Sequence, residues 1–358
     1  MTTAPALYAA TPTVSVAGEA SGLLSASLED LVVTETVEGL ATCEASFQNV
    51  GGRGGDPDFQ FFDRELLDFG KEVSISMGGG DAEALVFTGH VTGLRADFAQ
   101  RGGTALTMLA EDRLQDLRMT RRTRTFEDLS DAAAFEQIAA DHRLRAEIDL
   151  PGPTHRVIAQ VDQSDLAFVR SRARRIGGEV WVVDDTLHVA RRTGRRESRV
   201  VLSNRQNLRE ASLCADLAGQ RTEVAVSGWD PSAKQVVDER AGAGVLHMEQ
   251  SGGGTTGPEL LEQAFGARVE RFVHEVPLAA AEASDLAKAH FLTMGRRFVT
   301  GEVHADGDAR IRVGSRVDLA GVGPWFSGVY DVVESRHLFD LTSGYRTHAR
   351  LERGELTL

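Results

Sequence analysis

Gly70-Lys71-Glu72-Val73-Ser74-Ile75 leads into Phe87-Thr88-Gly89 and then a strand ending at Leu109. The pattern is written again as Gly314-Ser315-Arg316-Val317-Asp318-Leu319, then Phe326-Ser327-Gly328, then a strand ending at Leu351. From Gly70 to Leu109 is 39 residues, and from Gly314 to Leu351 is 37. Upstream, Gly39-Leu40-Ala41-Thr42 precedes the strand Cys43–Phe47, and Gly219-Gln220-Arg221-Thr222 precedes the strand Glu223–Val226. Val73, Ile75 and Met77 alternate with polar residues, as in a half-buried strand. A β unit present twice in one chain lets three chains present six similar surfaces, which is useful where a threefold object joins a sixfold one. The matching intervals put Gly89 and Gly328 at equivalent places, where glycine allows a sharp corner or a close backbone approach.

Working outward, residues 11–119 read as mostly strand, after a loose arm at 1–10. The glycine-rich segments Gly51–Gly55 and Gly78–Asp81 read as turns or mobile loops. Phe59, Phe61 and Phe62, flanked by Asp58 and Asp63, read as a buried plug at one end of a barrel, or if exposed as a contact surface. Between 120 and 204 the pattern changes. Ser130 or Asp131 caps a helix bearing Phe135, Ile138, Ala139 and His142. A second helix starts after Ser164 and stops at Gly177-Gly178. A hairpin follows, Glu179–Val183 and Thr186–Ala190, turning at Asp184-Asp185. From 243 to 299 the pattern predicts a flexible run at Ser251–Gly257, a helix over Pro258–Val273, and another capped by Ser284. The fold class is α+β and β-rich, with two related small barrels. The expected division is 1–119 for the first barrel, 120–204 for an α/β insert, 205–242 with 300–358 for the second barrel, and 243–299 for a helical insert within it.

Composition narrows the function. At 358 residues the chain can bury two or three cores, and 42% hydrophobic with 26% charged residues is ordinary for a globular protein. A net charge of −14 argues against nucleic acid as a specific ligand. The two cysteines, Cys43 and Cys214, cannot form a disulfide framework and read as small buried residues within strands. The N-terminus lacks the basic and apolar regions of a signal peptide, and no stretch is long enough for a membrane helix, so the chain is expected to be made in the cytoplasm.

No catalytic, cofactor-binding or metal-ligating residue is expected. The ten histidines show no His-Glu-x-x-His spacing. His337 and His348 face each other across a hairpin and read as ordinary strand residues. His142 suits a helix C-terminal end. Asp306-Gly307-Asp308 lacks the later ligands of a calcium loop. The glycine runs lack the residues of a phosphate cradle, and no nucleophile elbow occurs. The strongest charge feature is Arg170, Arg172, Arg174 and Arg175, continued by Arg191, Arg192, Arg195 and Arg196. A second cluster is Arg118, Arg121, Arg122 and Arg124. Without aromatic platforms among them, these arginines read as a surface for docking an acidic neighbouring subunit.

In order and spacing, several stretches resemble the phage late control D family. They are FFDRELLDFGKEVSISMG, FTGHVTGL, LAEDRLQDL, QVDQSDLAFVRSRARRIGGEVWV, and the closing run from Gly301 to Arg353. That family supplies the hub of contractile tail baseplates and is similar to the N-terminal part of type VI secretion spike (VgrG) proteins. The resemblance implies a homotrimeric, pseudo-sixfold ring between a hexameric inner tube protein and a trimeric spike, within a phage tail-like particle and among other baseplate proteins. It implies no enzyme activity, cofactor or membrane partner. The chain stops at Leu358, where type VI spike proteins continue, so a separate spike protein is expected. A spike-loading adaptor and a tail-borne cell-wall hydrolase are the competing readings; paired carboxylates for the latter are not found.

Overall fold

The computed structural model describes residues 11–51, 59–78, 83–99, 103–195, 198–231, 233–249, 252–273 and 279–357. The expected arm at 1–10, most of Gly51–Gly55, Asp58, Gly79–Asp81, Arg196 and Ser251 lie outside the described residues.

The first segment contains strands β1 (Thr13–Val16), β2 (Glu19–Ala20), β3 (Leu28–Thr36), β4 (Thr42–Gln48), β5 (Glu72–Met77), β6 (Ala84–Ala99) and β7 (Gly103–Glu111), with a short helix α1 (Gly22–Ser27). Alternation decides which face is buried: Val73, Ile75 and Met77 have no exposed surface, nor do Leu31 and Val33. After helix α2 (Leu114–Arg118) comes an α/β segment. It holds β8 (Arg121–Ser130), α3 (Asp131–Asp141), β9 (Arg145–Asp149), β10 (Thr154–Ser164), α4 (Asp165–Arg175), β11 (Gly178–Val183) and β12 (Thr186–Arg191). Ser130 and Ser164 cap their helices, each accepting from the backbone N–H three residues on. Helix α4 ends beside Gly177, whose φ of 78° few side chains tolerate.

The chain then enters β13 (Arg199–Ser203) and β14 (Leu208–Ala215), leaves through β15 (Glu223–Asp230), β16 (Gln235–Gly242), α5 (Ala243–His247), β17 (Thr255–Thr256), α6 (Gly257–Phe265), β18 (Val269–Phe272) and α7 (Ala280–Gly295), and returns. The return comprises β19 (Val299–Asp306), β20 (Arg316–Ala320), β21 (Gly328–Asp340), β22 (Gly344–Arg353) and β23 (Glu355–Leu356). Strands β15, β16 and β18 form a separate sheet packed against α7, around Val224, Val226, Leu286 and Phe291.

One large sheet runs β14-β19-β22-β21-β3-β4-β7-β6-β5-β1-β2 and unites both ends of the chain. Its two halves repeat their register. Val73 faces Gly89 and Ile75 faces Phe87; Val317 faces Tyr330 and Leu319 faces Gly328. Against β7, β6 is bulged between Val91 and Gly93; against β22, β21 is bulged between Val332 and Glu334. Against β4, β3 is bulged between Leu28 and Asp30; against β19, β14 is bulged between Leu208 and Glu210. Gly70 and Gly314 both adopt positive φ, and their N–H groups donate to Val91 and Val332 O. The halves differ at one edge: β1 joins β5 antiparallel, whereas β13 joins β20 parallel.

Several expectations are corrected. Gly89 and Gly328 are not equivalent: Gly89 corresponds to Tyr330, and Gly328 to Phe87, two residues away. Each glycine has its own cause. A Cβ on Gly89 would sit 2.3 Å from Glu111 O, while Gly328 has a φ of 136° beneath the Arg353 guanidinium. The Gly219–Val226 stretch does not match Gly39–Phe47. Its strand leaves the large sheet for β16 and β18, and the partner of β22 is instead β19. Residues 223–242 thus pack with the helical insert rather than in a second barrel. The helix expected over 258–273 ends at Gly266, whose φ is 75°. Ala279, not Ser284, stands at the start of α7. Cys43 is buried, but Cys214 is exposed because it lies on a sheet edge.

A Cβ at Gly89 has backbone in its way, so Gly89→Ala should cost about 1–3 kcal/mol. Gly219 has open space around it, and Gly219→Ala should stay within about 0.5 kcal/mol. Urea unfolding of both variants measures the difference.

Candidate functional site

The two halves of the large sheet meet where β3 pairs with β21. Asp30 to Thr36 run antiparallel to Asp340 to Glu334. The pattern Leu31, Val33, Glu35 carries a carboxylate to a buried position. Glu35 accepts from Arg312 Nε at 2.9 Å and from a second guanidinium nitrogen of the same residue. Burial pushes the Glu35 carboxyl up, but the Arg312 charge outweighs it and holds the group below the usual carboxylate range. Beside it His337 is fully buried, with Nδ1 2.8 Å from Tyr345 Oη and Nε2 3.3 Å from Ser335 Oγ. Burial lowers its pKa to about 4, so the ring is neutral at pH 7. His337 and His348 do not face each other: His337 opposes Thr347, and His348 stacks on His304 at 3.8 Å across β19.

A cleft of about 380 Å³ lies beside this seam, lined by Glu35, His90, Asp112, Trp181, Arg195 and Arg312. Asp112 accepts from the N–H groups of Ala41 and Leu114, and burial raises its carboxyl to about 7. Both carboxylates have structural partners, which is the ordinary use of buried charge. Among the described residues no group of three His, Cys, Asp or Glu side chains could hold a metal, and no helix is long and apolar enough to cross a membrane.

The arginine surface expected for docking is largely occupied within the chain. Arg172 Nε donates to Asp131 at 2.6 Å, Arg175 reaches Glu282 at 3.0 Å, and Arg174 pairs with Glu38. Arg170 is half-buried, and burial lowers its pKa despite the nearby Asp112 charge. Arg192 bridges Glu179 at 2.9 Å and Glu352 at 2.7 Å, tying the α/β segment to β22. Of the second cluster, Arg118 pairs with Glu111, Arg121 with Asp162, and Arg122 and Arg124 with Asp165. Arg170, Arg172, Arg174 and Arg175 therefore do not form a free basic face. Their carboxylate partners come from elements distant in sequence, which charge spacing along one helix cannot reveal.

What the chain leaves open is strand edge. Among the described residues β14 forms a ladder only with β19 and ends the sheet; apart from a single bridge from Leu208 to Asn204 its outer edge is open, with most of its residues exposed. On β6, the edge that β5 occupies as far as His90 continues through Gly93–Ala99 with no partner strand among the described residues. Phe98 projects from this stretch with 67% exposure, in contact with Phe59 and Phe62. Both readings of that cluster hold in part: Phe61 is buried against Phe47, while Phe59 and Phe62 stay exposed. Sequence reasoning missed Glu35, Arg312 and Phe98. The inward phase of Glu35 after Leu31 and Val33 was the available signal.

The family described as Alg8 N-terminal domain matches residues 8–339, and the chain belongs to that family. No curated protein matches it. Among solved structures, it has the fold of the 43 kDa tail protein of prophage MuSo2 from Shewanella oneidensis, at 12% identity and a TM-score of 0.69, covering 96% of this chain and 98% of that one. A tail protein from Neisseria meningitidis shares 14% identity with a TM-score of 0.66, covering 96% of both chains. The c3393 protein of E. coli, a component of the type VI secretion system, shares 9% identity with a TM-score of 0.60, covering 96% of this chain and 79% of that one. The β-rich α+β fold is thus that of phage tail and type VI secretion proteins.

His337 gives the seam a pH dependence. Its folded pKa lies below the unfolded value near 6.5, so its contribution is complete above about pH 6.5 and is lost as pH falls towards 4. The stability of the wild type relative to His337→Gln should therefore fall over that window; unfolding at several pH values measures it. Removing the Glu35 carboxylate takes from Arg312 the carboxylate it pairs with. Since Arg312 is partly exposed, Glu35→Ala should cost about 3 kcal/mol, the low end for a broken buried pair. Arg172→Glu would set two carboxylates together and should lower the thermal midpoint of the isolated chain by several degrees.

Proposed function

We propose that this chain is a non-enzymatic structural hub of a phage tail-like or contractile injection particle. In this reading three chains form a ring. Each contributes two similar sheet halves, so the ring offers six related surfaces to a hexameric inner tube and threefold symmetry to a separate spike protein. The two halves would be residues 13–111 and residues 199–215 with 299–353, the segments between them forming the α/β and helical inserts. The observation that carries the reading is the register repeat: the same ladder partners and the same bulges occur in both halves of one sheet. A single sixfold protein would not need two unequal copies in one chain. The likeness in fold to phage tail proteins and to a type VI secretion component supports the same role. Interactions with the tube, the spike and other baseplate proteins, and location in a tail-like particle, belong to this proposal.

Light scattering on the purified full chain, alone and with its spike, tests it. A mass of three chains is expected. A stable monomer under both conditions favours an adaptor and overturns the hub.

A further inference from the structure

We propose that the open strand β14 of one copy pairs antiparallel with Gly93–Ala99 of the next copy, in a register that the chain already displays internally. The inference rests on the ring reading and adds to it which strands join and how.

The bulges set the correspondence. The one between Leu28 and Asp30 matches that between Leu208 and Glu210, so β14 is the counterpart of β3. The one between Val91 and Gly93 matches that between Val332 and Glu334, so Gly93–Ala99 is the counterpart of Glu334–Asp340. Within the chain those first-named partners, β3 and β21, are bonded, Thr34 opposite Arg336 and Leu31 opposite Phe339. Their counterparts are the two edges without a partner strand among the described residues. Carrying the register over sets Cys214 opposite Arg95, Ser212 opposite Asp97, and Ala211 opposite Phe98.

Side chains support the same conclusion. Phe339 is 3% exposed and packs into the core of the first half, whereas its counterpart Phe98 is 67% exposed. An aromatic ring left in water at the place where its repeat mate is buried marks a contact that a second copy completes. Long, unpaired edges ordinarily carry blocking devices or find a partner strand. With this pairing, the eight strands from β14 through β6 in each chain would run on into those of the next, so a ring leaves neither of these two edges free. The joint between chains also differs from the seam within one. The counterpart of buried Glu35 is Ala215, so no such ion pair locks the copies together. Rings should therefore separate without the chain unfolding.

Disulfide trapping in the full chain tests the register. Arg95→Cys beside the native Cys214 should give oxidised species of two and three chains on non-reducing gels, since directly opposed strand residues lie within bridging range. Leu94→Cys and Ala96→Cys project from the other face and should not link, nor should Arg95→Cys with Cys214→Ser. Cys43 is buried and its thiol pKa raised, so it does not compete. Asp97→Cys with Ser212→Cys, in a Cys214→Ser background, is a second in-register pair should loss of Arg95 weaken assembly. Phe98→Asp should weaken trimer formation at least tenfold while the chain still unfolds cooperatively, its midpoint lowered only by the lost contacts with Phe59 and Phe62, and Phe98→Leu should preserve the trimer. Trimers that link at neither in-register pair, or that link through Leu94→Cys or Ala96→Cys, overturn the pairing and leave the ring intact. A wild-type chain that is monomeric alone and with its spike overturns both.

Discussion

The pairing of β3 with β21 is the contact on which the rest of the molecule depends. These strands come from opposite ends of the chain and merge two sheet halves into one. Backbone hydrogen bonds alone would tolerate slippage, because they are the same at every register. The ion pair of buried Glu35 with Arg312 and the neutral His337 beside it remove that freedom. A shift of one residue would turn Glu35 to the opposite face and leave Arg312 without its carboxylate.

With the seam in place, the inserts follow. The α/β segment has its own core of Phe126, Phe135, Ile138 and Phe168, and is tied to the second half through Arg192, Glu179 and Glu352. Of the arginines that look like a basic face along helix α4, Arg172, Arg174 and Arg175 are met by carboxylates from other elements, and Arg170 is half-buried. Pairing at 2.6–3.0 Å leaves Arg172 and Arg175 little charge to offer a partner. What the fold presents outward is backbone edge and aromatic surface, so in the proposed ring recognition between copies would fall to hydrogen bonding and apolar burial rather than to long-range attraction between opposite charges.

The structure also explains where sequence reading stopped short. Helices α3 and α4 were legible because their serine caps and apolar spacing are local signals. So was the second half from Gly314 onward, where alternation and turn glycines coincide. The missing strand of the second half was misassigned to Glu223–Val226, because that stretch carries a similar glycine-to-threonine lead. The true partner, Val299–Asp306, emerges directly from a helix and lacks that lead. Cys214 was read as buried because alternation reports which face of a strand is apolar, and does not report whether the strand has neighbours on both edges.

The sequence by itself determined the strand content, the recurrence of the β unit and the helical character of the inserts. Each of these follows from side-chain periodicity and turn chemistry within a few residues. Only the tertiary structure decided which glycines are equivalent, which arginines are neutralised, and which edges stay open. Those outcomes depend on partners far apart in the chain, 277 residues in the case of Glu35 and Arg312, and the energy of such a pair resides in neither residue's local sequence. Burial and long-range register create it when the two ends of the chain come together.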